Sequence, residues 1–195
     1  NSFVANSNKG GEIMGEAILV KRGGGSNIKS IQQGVVSQSF KSITIPISPI
    51  NKEKSLVEVS VESFSRYGYH CLVMCSLVSN NAIKLQRGND NVTYASNVIY
   101  RVIEFNNVKS RQEGTFTLSG NNIPFNEIVT INTINPFKSI LYATMMQTDW
   151  RDFWVDLAIQ TEIVDSTHIR FFNSRKVIYE DSGLITVHWQ LIEFK

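Results

Sequence analysis

Little in this sequence offers covalent or ionic leverage. Its 195 residues include two cysteines and four prolines, and 19 Lys and Arg stand against 17 Asp and Glu, a formal net charge of +2. That near-balance argues against a nucleic-acid partner, which is usually met with a basic patch or stripe, and gives no reason to expect a membrane surface. No apolar run approaches the ~18 residues of a membrane span, and the longest, such as Cys71 to Cys75, are strand-sized. Membrane insertion is therefore not expected. Nor does the N-terminus carry a basic stretch followed by a long apolar core, the mark of a secretory leader. In one strand, Cys71 and Cys75 would face the same side about 13 Å apart, at ~3.3 Å per residue. A disulfide needs Cα atoms within roughly 7 Å. Both cysteines are expected as free thiols, and neither has a C-x-x-C or Cys/His partner at ligand spacing, so no metal or redox role follows.

What is present is apolar material in short alternating runs. Hydrophobic residues make up 42% and charged residues 18% of the chain, enough for packed cores and too little charge for a disordered chain. Ile43, Ile45 and Ile47 alternate with Thr44 and Pro46, and Leu56, Val57, Val59 and Val61 with Glu58, Ser60 and Glu62. Ile169 and Phe171 alternate with Arg170 and Phe172, and Leu184, Ile185, Val187 and Trp189 lead into Leu191. A period of two over four to eight residues predicts half-buried strands. Asn80-Asn81, Gly88 to Asn91, Gly120 to Asn122 and Asp181 to Gly183 separate the runs. These are turn residues, because Gly and Asn tolerate positive φ and Asp and Ser bond locally to backbone.

The chain repeats itself. Asn27-Ile28-Lys29-Ser30, then Gln32 and Gly34, matches Asn107-Val108-Lys109-Ser110, then Gln112 and Gly114, at an offset of 80 (107 − 27). Ile47 to Asn51 with Lys54-Ser55-Leu56 matches Ile131 to Asn135 with Lys138-Ser139-Ile140, at 84 (131 − 47). Val102-Ile103-Glu104-Phe105 matches Leu191-Ile192-Glu193-Phe194, at 89 (191 − 102). Three anchors in one order with slowly growing offsets imply duplication followed by loop insertion. The predicted fold is all-β: two tandem antiparallel β-sandwich modules of about six strands each, over 27–105 and 107–194, preceded by an extended N-terminal arm and Gly-rich linker over 1–26. The last strand of each copy is its most apolar and is expected at the centre of a sheet, with Tyr100 and Trp189 as core or boundary residues. The junction at Asn106 is so short that the modules should be closely coupled.

Catalytic signatures are lacking. There is no G-x-S-x-G elbow, P-loop or dinucleotide fingerprint, and Gly23-Gly24-Gly25 lacks the Lys-Ser/Thr that a phosphate-cradling loop needs. His168 and His188 fall in strand patterns, and no His or Cys pair has zinc-ligand spacing. Glu104 and Glu193 occupy the same place in both copies, which suits a strand-end salt bridge better than a cleft whose two carboxylates differ in environment. The expectation is a non-enzymatic protein with no cofactor and no metal. The most informative local feature is a loop, placed after the second strand of each copy. It reads Ser65-Arg66-Tyr67-Gly68-Tyr69 in copy one and Asp149-Trp150-Arg151-Asp152-Phe153-Trp154 in copy two. Exposed rings stack on sugar faces or partner side chains, and Arg and Asp bond hydroxyls. Trp150, Arg151, Asp152, Tyr67 and Arg66 are the candidate binding residues. Against this stands the reading in which Phe153 and Trp154 begin the next strand and pack inward.

The opening Asn27-Ile28-Lys29-Ser30-Ile31-Gln32 and the closing His188-Trp189-Gln190-Leu191-Ile192-Glu193-Phe194 resemble modules of tailed-bacteriophage structural proteins of the tail-fibre or virion type. Copy one departs from this, with Tyr100-Arg101 in place of Trp-Gln. Glu16 to Gly25 also looks like the start of such proteins, so the resemblance covers roughly 14–194. The strand order is also similar to the trimeric H-type lectin sandwich, although no sugar-binding residue of that family has a counterpart here. The resemblance implies a virion protein, assembled in the bacterial cytoplasm, whose partners are other virion proteins, copies of itself in a homo-oligomer such as a trimer, and a host-surface glycan. It implies either a tail-fibre or baseplate appendage that contacts the host, or a capsid-decorating head-fibre protein held to the shell by its N-terminal arm.

Overall fold

The computed structural model describes residues 27–37, 41–63, 72–88, 96–119, 125–147, 159–173 and 184–195. The expected arm and linker over 1–26 lie outside them. Alternating apolar side chains produce six strands before Asn106: β1 (Ile28–Ser37), β2 (Ser42–Pro46), β3 (Ser55–Ser63), β4 (Met74–Ser79), β5 (Ala82–Gln86) and β6 (Ser96–Phe105). Six more follow it: β7 (Val108–Ser119), β8 (Phe125–Thr130), β9 (Ser139–Gln147), β10 (Gln160–Ile163), β11 (His168–Asn173) and β12 (Leu184–Phe194). The candidate loops therefore follow the third strand of each set, because the short strand β2 or β8 precedes.

Among the described residues all pairings are antiparallel, in four three-stranded sheets. The first set forms β1-β6-β3 and β2-β5-β4, and the second forms β7-β12-β9 and β10-β11-β8. β6 and β12 are central, as their apolar runs predict. Each pair of sheets closes on its own core. Val36, Ile45, Val57, Cys75, Leu77, Ile83, Leu85, Val98, Tyr100 and Val102 fill the first sandwich. Leu118, Phe125, Ile169, Phe171, Ile185, Val187, Trp189 and Leu191 fill the second.

The two modules repeat each other in atomic detail. Gly34 lies opposite Tyr100 and Gly114 opposite Trp189. A Cβ at Gly34 would stand 2.3 Å from the Tyr100 hydroxyl, and one at Gly114 2.7 Å from the Trp189 ring. The glycines are needed because a large ring lies flat across the neighbouring strand. Each module also closes its entry turn on one carboxylate. Glu104 accepts from Lys29 Nζ and the Asn51 N–H at 2.9 and 3.1 Å. Glu193 accepts from Lys109 Nζ, Ser110 Oγ and the Asn135 N–H at 2.8, 2.9 and 2.9 Å. Gln32 brackets Ser48 through its N–H and carbonyl, as Gln112 brackets Asn132. Asn51 and Asn135 each cap a 3-10 turn, Lys52–Lys54 and Pro136–Lys138. The strand-end salt bridges expected at Glu104 and Glu193 are thus present, each with a buried carboxylate.

Among the described residues no ladder pairs a strand before Asn106 with one after it. A third cluster nevertheless spans the junction, with Leu56, Ile103 and Phe105 packed on Val108 and Ile192. Phe105 and Phe194 meet edge to face with centroids 5.2 Å apart.

Candidate functional site

Arg66, Tyr67, Trp150, Arg151 and Asp152 lie outside the described residues, as does Cys71. What the described residues bring together is the joint between the modules. Trp189, Leu191 and Val187 point into the second core. The alternate residues of β12, His188, Gln190 and Ile192, therefore face outward, yet they are 5%, 1% and 0% exposed. The first module covers them.

The joint sets a sheet face against a sheet edge. β3 is an edge strand, so the outward N–H and C=O groups of Val57 and Val59 have no strand to pair with. Burying them unpaired would cost roughly 1–3 kcal/mol each. Side chains of the second module take the place of a strand. Gln190 accepts from the Val57 N–H at 3.0 Å through Oε1 and donates Nε2–H to the Val57 carbonyl at 2.9 Å. The Tyr142 hydroxyl accepts from the Val59 N–H at 2.9 Å and donates to the Val59 carbonyl at 3.1 Å. On β4, the other edge, the Cys75 N–H donates to Thr144 Oγ1 at 3.2 Å. The Arg111 Nε–H donates to the Ser55 carbonyl at 2.9 Å, and Lys52 pairs with Glu113 at 3.0 Å.

Charges in this joint are held by their surroundings. Burial alone would raise the Glu113 carboxyl, but bonds from His188, Arg111 and Lys52 outweigh it and hold the group well below the carboxylate range. Burial pushes the Tyr142 hydroxyl up to about 12. Burial also pushes the Cys75 thiol up to about 12, and its S–H points at the Val57 carbonyl 3.4 Å away, so Cys75 is the buried free thiol that was expected. Beside the joint runs a shallow groove lined by Glu58, Val59, Ser60, Ile99, Arg101 and Tyr142. Its two charged residues face each other at 3.5 Å.

A second polar cluster caps the β10–β11 turn. The Thr167 N–H, then His168 and the Thr167 hydroxyl, hold Asp165 down at about 2. These contacts order the turn itself. Among the described residues no three His, Cys, Asp or Glu side chains gather as a metal site requires, and no helix is long and apolar enough to cross a membrane.

Sequence reasoning passed over Gln190, Tyr142 and Thr144. One signal was there: Gln190 is a polar residue between Trp189 and Leu191 in the most apolar strand of the chain. A buried amide in such a run needs a partner for both its ends. No protein-family model matches the chain, and comparison with the curated proteins and with the solved structures finds no match.

Proposed function

We propose that this chain is a non-enzymatic structural component of a tailed-bacteriophage virion, used as a rigid two-module unit in a tail-fibre or baseplate appendage that contacts the host. The observation that supports this reading is the joint. Two modules with their own cores are bound by side chains that complete a strand edge, which suits a part whose task is to hold a fixed shape under load. Three described groups whose protonation is strongly disturbed are spent on that task. Glu113, Tyr142 and Cys75 sit in the joint, and Glu193 closes a turn. A catalytic site would turn such groups toward a cleft with their reactive atoms free; Tyr142 lines the shallow groove, but its hydroxyl is bonded to both backbone groups of Val59.

The phage assignment rests on the likeness of the His188–Phe194 and Asn27–Gln32 segments to virion modules. The loops carrying Arg66 and Tyr67, and Trp150, Arg151 and Asp152, follow the edge strands β3 and β9 and are the surfaces we assign to the host glycan or to a neighbouring virion protein. A capsid-decorating role makes the same demand for rigidity. Gold-labelled antibody against the chain, imaged on purified particles by electron microscopy, separates the readings. Label at the tail or baseplate is expected. Label over the shell would favour the capsid role, and unlabelled particles would reject the virion assignment.

A further inference from the structure

The joint is heterologous, since it uses the outer face of one sheet and the edge of another. The repeat supplies both surfaces a second time. The outer face of β7-β12-β9 that grips the first module has a counterpart in the outer face of β1-β6-β3, and the gripped edge of β3 and β4 has a counterpart in β9 and β10. Register fixes the correspondence. Gln33, Arg101 and Glu58 form one cross-strand row on the first face, where Glu113, Gln190 and Tyr142 form the equivalent row on the second.

The second edge bears the marks of lacking its cover. Leu56 is 1% exposed beneath the second module, whereas its counterpart Ile140 is 40% exposed. Phe137, on the 3-10 turn beside it, is 99% exposed. Among the described residues β9 pairs only with β12, so Leu141 and Ala143 present the backbone groups that Val57 and Val59 present in the first module. An edge of this kind is a template for association.

We propose that a second copy of this chain seats its β9 edge on the outer face of β1-β6-β3, so that the internal joint recurs between chains and the copies close head to tail into a ring. Within the chain, Glu113 on the face pairs with Lys52 on the 3-10 turn, and Arg111 donates to the Ser55 carbonyl just after that turn. At the equivalent positions the face carries Gln33 and Ile31, the latter packed against the junction cluster, and the turn carries Pro136 and Phe137. The ion pair has no counterpart there, because Gln33 stands for Glu113 and Pro136 for Lys52. In place of the Gln190 amide stands Arg101, whose N–H groups donate to carbonyls. In place of the Tyr142 hydroxyl stands Glu58, which accepts from N–H groups. Arg101 can thus meet the Leu141 carbonyl and Glu58 the Ala143 N–H, one group at each position where Gln190 and Tyr142 meet two. The change also favours the internal joint: Lys52 set against Gln33 in place of Glu113 would lose its ion pair. Heterologous contacts close into rings when the rotation permits and run on as filaments when it does not.

The test reads mass alone and needs no phage particle, so it stands or falls separately from the virion reading. Three forms of the full chain are compared by light scattering at tens of micromolar: wild type, Phe137→Asp on the edge, and Ser60→Arg on the outer face. Both altered positions are exposed, and unchanged circular dichroism and melting check that the folds persist. The wild type is expected at a discrete multiple of 22.0 kDa and each variant at the monomer mass. An equimolar mixture of the variants is expected to yield a dimer and nothing larger, because each keeps the surface the other has lost. A monomeric wild type, or variants that assemble as the wild type does, would overturn the proposal. So would a mixture that stays monomeric, since that is the behaviour of an isologous contact. If Phe137→Asp fails to fold, Ile140→Lys on the edge replaces it, and if Ser60→Arg fails, Arg101→Glu on the outer face replaces it, under the same criteria.

Discussion

At the scale of single residues, the repeated carboxylate does the most. Burial alone would raise the Glu193 carboxyl, but Lys109, the Asn135 N–H and Ser110 together hold it below its ordinary value. Its folded pKa is lower than its unfolded one, so its contribution to stability is complete above the unfolded carboxylate value of ~4.3 and is lost as pH falls toward the folded value. Glu113 is lowered too and acts in the same direction. Glu193→Gln is therefore expected to cost about 1.5–3 kcal/mol at pH 7, the usual worth of hydrogen bonds to a charged group. The variant should also lose less further stability than the wild type between pH 5 and pH 3. Urea unfolding across that range checks both, and equal pH slopes would show that Glu193 is not the titrating group. The role of Glu193 was legible in the sequence because duplication printed it twice, at Glu104 and Glu193, each followed by Phe.

At the scale of elements, one edge strand decides how the modules sit. Val57 and Val59 need partners only because β3 ends its sheet, and Gln190 and Tyr142 are those partners. Gln190→Leu keeps the volume and removes both bonds, which strands a buried N–H and a buried carbonyl. The expected loss is about 2–4 kcal/mol from two unsatisfied groups. Arg101→Leu at the equivalent position removes an exposed ion pair with Glu58 and is expected to cost at most ~1 kcal/mol when measured at sub-micromolar concentration. Denaturation of both variants gives the comparison directly, and equal losses would mean that the amide of Gln190 is not what completes β3. The sequence predicted β3 and β12 from their alternation, and β6 as the apolar last strand of its copy. It did not reveal which strand would be an edge, since pairing order is set between segments far apart in the chain, as in the 133-residue separation of Val57 and Gln190.

At the scale of the whole molecule, duplication has been joined to fusion. Leu56 and Cys75 are 1% and 0% exposed in the chain, in part because β9 and β12 lie over them. The third cluster also takes residues from both modules. The intact chain is accordingly expected to unfold in one calorimetric transition, with calorimetric and van't Hoff enthalpies equal. Residues 27–106 expressed alone should expose the β3 and β4 edges and aggregate. Two well-separated transitions in the intact chain would show that the joint contributes little and that the modules behave independently.

The sequence by itself determined the class of fold, the duplication, the central place of β6 and β12, the burial of Tyr100 and Trp189 and the paired carboxylates. Each of these depends on local alternation or on a pattern written twice, and both survive in one dimension. Only the tertiary structure decided that Gln190, Tyr142, Thr144 and Arg111 form a surface, and that this surface completes the edge of β3. Those residues converge from three strands, β7, β9 and β12, and their partners are backbone groups, which carry no side-chain signature. The same limit explains why the exposure of Phe137 and Ile140 was not foreseen. An apolar residue at a turn or strand start is ordinary in sequence, and its exposure becomes telling only when its counterpart Leu56 is found buried beneath the other module.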